Sequence, residues 1–256
     1  MQIDWGFFWI IANRIGSRYY IIAGIAFVIF YVLLRKKWQY KKLQPKDAKA
    51  ADYLREILYS SGTILIFSAF ILFLHNPAIA PHTTRYLHIE DRGWLYYFSV
   101  FPILFLIHDT YFYWAHRLMH HPVLFKWIHL VHHKSTNPSP WAAYAFHPLE
   151  AIVEQGVVFI FYFTLPIHIT HLVFFFLFSI IYNIYGHLGY ELYPKNFNRS
   201  LIGKWVNTST NHNQHHQFFK GNYGLYLLFW DRIMGTIRED YDEKFDDITN
   251  RKATII

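Results

Sequence analysis

The chain has 256 residues, of which 54% are hydrophobic, 21% aromatic and only 16% charged, against about a quarter charged in ordinary soluble domains. That balance excludes a disordered or fibrous chain and argues against a soluble globule. Cysteine is absent, which removes disulfides and thiolate metal sites, and the net charge of +7 has to be located along the chain before it is read.

In chain order, the first 18 residues, with Trp5, Phe7, Phe8, Trp9 and Ile10, read as an interfacial lead-in helix. No charged segment leads a short apolar core, so a cleaved leader is not expected. Uncharged apolar runs follow at Tyr19–Leu34, Ile57–Leu74 and Gly93–Ile107, each close to the length that enters or spans a bilayer. Gln155–Gly186 holds no Asp, Glu, Lys or Arg and is long enough for a hairpin of two short arms meeting near Pro166, with one long tilted helix as the alternative.

Charge distribution orients these segments. Arg35, Lys36, Lys37, Lys41, Lys42, Lys46, Lys49 and Arg55 crowd one loop against Asp47 and Asp52, whereas residues 75–91 carry one basic residue, Arg85. The positive-inside rule puts 35–56 in the cytoplasm and 75–92 outside. The chain then returns inside near residue 114 and again from about 187. The positive charge is therefore read as membrane orientation, not nucleic-acid binding.

Histidine is the outlier, 17 residues in all, and its spacing carries the signal. His116 and His120 stand four apart, and His129, His132 and His133 form H-x-x-H-H, repeated at His212, His215 and His216. On helices these spacings stack side chains on one face, the geometry of a metal-binding pair. Imidazoles converging near a membrane would repel when protonated and be left unpaired when buried, and a bound cation removes both problems. Eight or more imidazoles exceed one tetrahedral ion and predict two metals, while the missing H-E-x-x-H disfavours a metalloprotease. Imidazole alone does not choose among iron, copper, nickel and zinc. His147 and His187 are plausible additions, His121 an alternate, and His108 faces away from His116 on a helix. His75, His82, His88, His168 and His171 read individually as ordinary core or interfacial residues.

Over residues 95–236 these motifs resemble the fatty acid hydroxylase and sterol desaturase superfamily. The boxes are matched by Asp109-x-x-x-Tyr113-Trp-x-His116-Arg117 with His120, by His129-x-x-His132-His133 and by His212-x-x-His215-His216. Pro138-x-Pro140 through Ala145-Phe-His147-Pro-x-Glu150, Asn222-Tyr-Gly224 and Trp230-Asp-Arg-x-x-Gly-Thr236 resemble its flanking stretches. A third H-x-x-x-H box is represented by Asn183-x-x-x-His187, so His187 carries over as a ligand and Asn183 does not. The resemblance implies an all-α fold: four or five membrane helices carrying a cytoplasmic helical cap that houses the metals. It also implies two iron ions held by His116, His120, His129, His132, His133, His187, His212, His215 and His216, O2 as oxidant, and electrons from a ferredoxin- or cytochrome-type donor. No dinucleotide fingerprint or haem-attachment motif occurs.

The chemistry so implied is hydroxylation or desaturation of an unactivated C–H in a lipid, such as a sterol or fatty acyl chain. Arg117, Asp109, Glu150 and Asp231 are expected to orient imidazoles or cap helices. Phe98, Phe101, Phe105, Phe159, Phe161, Phe163 and Phe174 to Phe176 are the expected lining of a slot open to the bilayer. The organisation expected is one integral-membrane domain: N-terminal helices to 107, a catalytic region 108–236 and a charged tail 237–256. A His-rich metal transporter and an inactive lipid-binding scaffold are the competing classes. Transport sites lie near the bilayer midplane, whereas these histidines fall outside the apolar blocks.

Overall fold

The computed structural model describes residues 4–253; the outer three residues of the lead-in and of the tail lie outside it. Helix α1 (Trp5–Phe27) is capped by Asp4, whose carboxylate accepts from Phe7 N–H at 2.8 Å, and it continues in widened π-turns through Val28–Leu33. The lead-in expected before residue 19 is therefore part of a single 29-residue helix long and apolar enough to cross a membrane. Arg14 and Arg18 interrupt its hydropathy without ending the helix: Arg18 is half-buried and lines a cavity between the helices, and Arg14 lines it while remaining exposed.

The other spans are α2 (Ala50–Leu74) and α3 (Trp94–Met119), followed after a short connection by α4 (Pro122–Ile128) and α5 (Leu130–His133). The apolar block beyond them is the hairpin: α6 (Pro148–Thr164) and α7 (Ile169–Gly186), with Pro166 in the turn. Of these two arms only α7 reaches spanning length. Residues 209–218 form α8, 229–233 α9 and 241–250 α10. Among the described residues, extended pairing is limited to the isolated bridges Lys42 with Tyr190 and Val206 with Leu227.

Two apolar clusters tie the bundle together. Tyr19 and Ala23 pack with Ile64, Phe67, Ile180 and Ile184. Leu74, Leu104, Val158, Phe161, Leu172 and Phe175 form the second. Around them the helices present bare apolar side chains, Leu58, Leu95, Phe98, Leu106 and Ile181 among them, a surface suited to lipid and costly in water. The protein is a multi-pass membrane protein.

The C-terminal ends of α3 and α7 and the N-terminal ends of α2 and α6 meet at one end of the bundle, where the histidines collect. The basic 35–55 segment lies at that end too: Gln44 Nε2 donates to Asn213 Oδ1 at 3.1 Å and Arg55 Nη2 to Ser135 Oγ at 3.2 Å.

Candidate metal centre

Helix α3 carries His116 in its last turn and His120 at its C-cap. His129 sits at the break between α4 and α5, with His132 and His133 closing α5. His187 caps the C-terminus of α7. Helix α8 is polar from Ser209 to Gln217 and buried from Ser209 to His216: Thr208 caps it by accepting from Asn211 N–H at 3.1 Å, and Glu191 accepts from Thr210 N–H and Oγ1–H at 3.0 and 2.7 Å. Helix α7 packs on α8 at Gly186, where a Cβ would stand 3.4 Å from the His212 ring, an ordinary van der Waals contact.

These elements bring all nine imidazoles together in two adjacent groups. His116, His120, His129, His133 and His215 form one, and His132, His187, His212 and His216 the other; within each group the ligand atoms lie within 4.8 Å of one another. The H-x-x-H-H triplets do not share one face. Their first and last members enter one group and the middle member the other, because adjacent residues on a helix point about 100° apart. His132 and His215 are thus exchanged between the groups.

The hydrogen bonds fix which nitrogen faces inward. His116 Nδ1 donates to Tyr223 O at 2.9 Å, His187 Nδ1 to Asn183 O at 2.8 Å, His215 Nδ1 to Gly221 O at 2.7 Å and His216 Nδ1 to Ser135 O at 3.0 Å. His129 Nδ1 meets Glu150 Oε1 at 2.7 Å. With the proton on Nδ1, each Nε2 presents a lone pair. The Nε2 atoms then meet one another: His116 and His129 at 3.0 Å, His120 and His215 at 3.1 Å, His187 and His212 at 3.0 Å, His187 and His132 at 3.3 Å.

Lone pairs at that distance repel unless a cation lies between them. An ion about 2.0–2.1 Å from each imidazole nitrogen would set neighbouring nitrogens about 2.9 Å apart at right angles and about 3.4 Å at the tetrahedral angle. The observed spacings fall in that interval, so both groups fit a metal ion. Burial, reinforced by neighbouring imidazoles, pushes His120 down to about 2 and burial alone pushes His187 to about 4; His129, His132, His133, His212, His215 and His216 are likewise held well below the ordinary imidazole range, burial being the main cause. The rings are neutral at pH 7, as ligation requires.

Other expected site residues take different parts. Glu150 orients an imidazole. Asp109 instead accepts from Tyr226 and Leu227 N–H at 2.9 and 3.1 Å, and Asp231 from Tyr223 and Gly224 N–H at 2.9 and 2.7 Å. Arg117 donates to Tyr113 Oη at 3.1 Å. Asp109 and Asp231 therefore act on the loop behind the imidazoles and Arg117 on its own helix, and none of the three hydrogen-bonds an imidazole. His121 and His147 accept from Val123 and Leu149 N–H as helix caps. His108 pairs with Tyr226 Oη at 2.9 Å, and Asn183 Nδ2 donates to Ala143 O at 2.7 Å. None of these three histidines joins either group.

A cavity of about 290 Å3 lies between the helices. Its walls correct the expected slot: of the phenylalanines named for it, only Phe176 lines it, beside Phe7, Phe67, Phe112 and Phe146. Phe98, Phe163 and Phe174 face outward, while Phe161 and Phe175 are core. The cavity meets the metal centre where Phe146 lies 5.1 Å from the His132 ring and Phe112 4.9 Å from His116. Only the tertiary fold reveals Phe146, Arg18 and Gln155 as lining.

A helical membrane bundle with paired, buried imidazole groups at one end of a largely apolar cavity has the make-up of a membrane protein with a candidate metal centre. The fatty acid hydroxylase family model matches residues 101–236, more than half of the chain, and the chain belongs to that family. It is 28% identical over 233 residues to a Delta(7)-sterol 5(6)-desaturase of Gibberella zeae, covering 89% of this chain and 68% of that protein. To a Delta(7)-sterol 5(6)-desaturase of Leptosphaeria maculans it is 35% identical over 227 residues, covering 89% and 60%. To lathosterol oxidase of Mus musculus it is 30% identical over 187 residues, covering 72% and 60%. The chain thus spans 60 to 68% of the length of these relatives. No solved structure gives a significant match.

Proposed function

We propose that the protein is an O2-dependent lipid oxidoreductase that holds two iron ions in its histidine groups and removes hydrogen from an unactivated C–H of a sterol-like lipid. The reading rests above all on the two imidazole groups standing side by side at one end of the cavity, with the His133 and His216 rings 4.9 Å apart across them. When bound, the irons would supply the oxidising power for C–H cleavage. His116, His120, His129, His133 and His215 would hold one ion, and His132, His187, His212 and His216 the other.

The chain's own groups supply position and dryness. Main-chain carbonyls of Tyr223, Asn183, Gly221 and Ser135, with the Glu150 carboxylate, keep the Nδ1 protons of His116, His187, His215, His216 and His129 in place and their Nε2 lone pairs inward. Phe112 and Phe146 separate the imidazoles from the cavity and present an apolar wall to the reacting carbon, keeping water away from the oxidising centre. Whether one hydrogen is replaced by hydroxyl or two neighbouring hydrogens are lost depends on how that carbon is seated. The relatives' names favour desaturation of a Delta(7)-sterol.

The basic 35–55 segment shares the histidine end of the bundle, and the positive-inside rule supports a cytoplasmic position for it. Electrons would reach the centre there from a separate ferredoxin- or cytochrome-type protein. A transporter would need its ligands along a crossing path, and both groups are gathered at one end.

The test is to supply membranes containing the iron-loaded protein with lathosterol, O2 and a reducing system, and to analyse the sterols. A new 5(6) double bond or hydroxyl that is lost in His132→Ala supports the proposal. Unchanged sterol with an iron-loaded wild-type protein would overturn the sterol assignment.

A further inference from the structure

The cavity has unlike ends. One meets the imidazoles through Phe112 and Phe146; the other is walled by Phe7, His75, Tyr162 and Ile169, near the turn between α6 and α7. Along α1 its wall runs from Phe7 to Arg18, about 16 Å at the helical rise. Two buried polar atoms in the lining residues have no hydrogen-bond partner: Gln155 Oε1 and Arg18 Nε. One is an acceptor and the other a donor. Unpaired polar groups inside a membrane bundle are costly and mark ligand contacts.

Both lie in the half of the cavity nearer the metals. Gln155 follows Glu150, the His129 partner, by five residues on α6. Arg18 precedes Tyr19, whose ring stacks 5.2 Å from Tyr144; Tyr144 in turn lies 6.3 Å from Phe146. The far half is walled mainly by apolar side chains such as Ile11, Ile71, Leu172 and Val173. Arg14 and Glu154 share the wall, and a hydroxyl, which both donates and accepts, answers the two orphaned atoms at once.

Resting on the lipid-oxidation reading above, we propose that Gln155 and Arg18 bind the hydroxyl of an uncharged lipid alcohol that enters head first. Its apolar tail points toward Phe7 and Tyr162. The oxidised carbon therefore lies near the hydroxyl-bearing end of the substrate and not in its tail. Gln155 and Arg18 select the substrate without taking part in the redox step.

The test measures binding, independently of turnover, on detergent-purified, iron-loaded protein. Thermal shifts are titrated with lathosterol and with its 3-O-methyl ether, which loses the donor and crowds the acceptor. Wild type should bind the alcohol about tenfold more tightly, and the preference should collapse in both Gln155→Leu and Arg18→Met, with iron content retained as the folding control. Equal affinities in wild type, or a preference surviving in either variant, would overturn the assignment. Discrimination without any sterol oxidation would support the assignment and count against the proposed reaction instead.

Discussion

His187 and His216 face each other Nε2 to Nε2 at 3.1 Å while their Nδ1 nitrogens donate to the main-chain carbonyls of Asn183 and Ser135. Each ring has spent its proton on a carbonyl belonging to a different part of the fold. What remains between them is a pair of lone pairs that only a cation reconciles.

Metal content should therefore divide along the two groups. Protein from iron-supplied cells is expected to carry about two ions per chain. His187→Ala or His132→Ala should lower this to about one by emptying the four-imidazole group, and His215→Ala should do the same to the five-imidazole group, each with loss of turnover. Elemental analysis of purified, membrane-inserted variants measures this; full metal content in His187→Ala would break the assignment.

Glu150 bears on metal affinity at one remove. Its carboxylate lies 2.7 Å from His129 Nδ1, and both side chains are buried. Glu150→Gln should weaken retention of the ion in the His116 group by about 10- to 100-fold. Chelator competition reads this directly, and retention of both ions at wild-type chelator concentrations would argue that the contact is dispensable.

Acid should destabilise the metal-free protein. An unfolded imidazole takes up its proton near pH 6.5, whereas burial holds His187 to about 4 and His120 to about 2 in the folded chain. Below pH 6.5 the unfolded state binds more protons, so stability falls as pH drops from 6.5 toward 4. Thermal unfolding of chelator-treated protein in detergent should show the midpoint decreasing across this window, and a flat profile would contradict the neutral, buried assignment.

His168 looks inert in sequence but anchors a helix start. Its Nδ1 accepts from Thr170 N–H at 3.3 Å, and its Nε2 donates to Leu87 O at 3.0 Å. His168→Ala should cost about 1 kcal/mol of stability, visible as a lower unfolding temperature, with metal content unchanged. A loss of metal in this variant would link the far turn to the centre.

Much of this organisation is legible along the chain. The hairpin follows from an uncharged stretch too long for one span and broken by Pro166, and α2 from an uninterrupted apolar run. Residues 5–18 mislead because Arg14 and Arg18 end the apolar run, although the helix continues through both and Arg18 turns into a cavity within the bundle. Hydropathy registers a charge but not the direction in which its side chain points. The expected aromatic slot fails for a similar reason: Phe174 and Phe175 are adjacent, yet one is exposed and the other core.

The sequence by itself determined which imidazoles are available, since their spacing repeats and apolar helices leave them nowhere to be solvated. It did not determine their partition. Residues three and four apart lie near one another on a helix, but consecutive residues diverge by about 100°. Which group each imidazole joins is decided by where α3, α5, α7 and α8 end against one another. Only that packing sends His132 to His187 and His133 to His120, and only it brings the Tyr223 and Ser135 carbonyls and the Glu150 carboxylate to His116, His216 and His129.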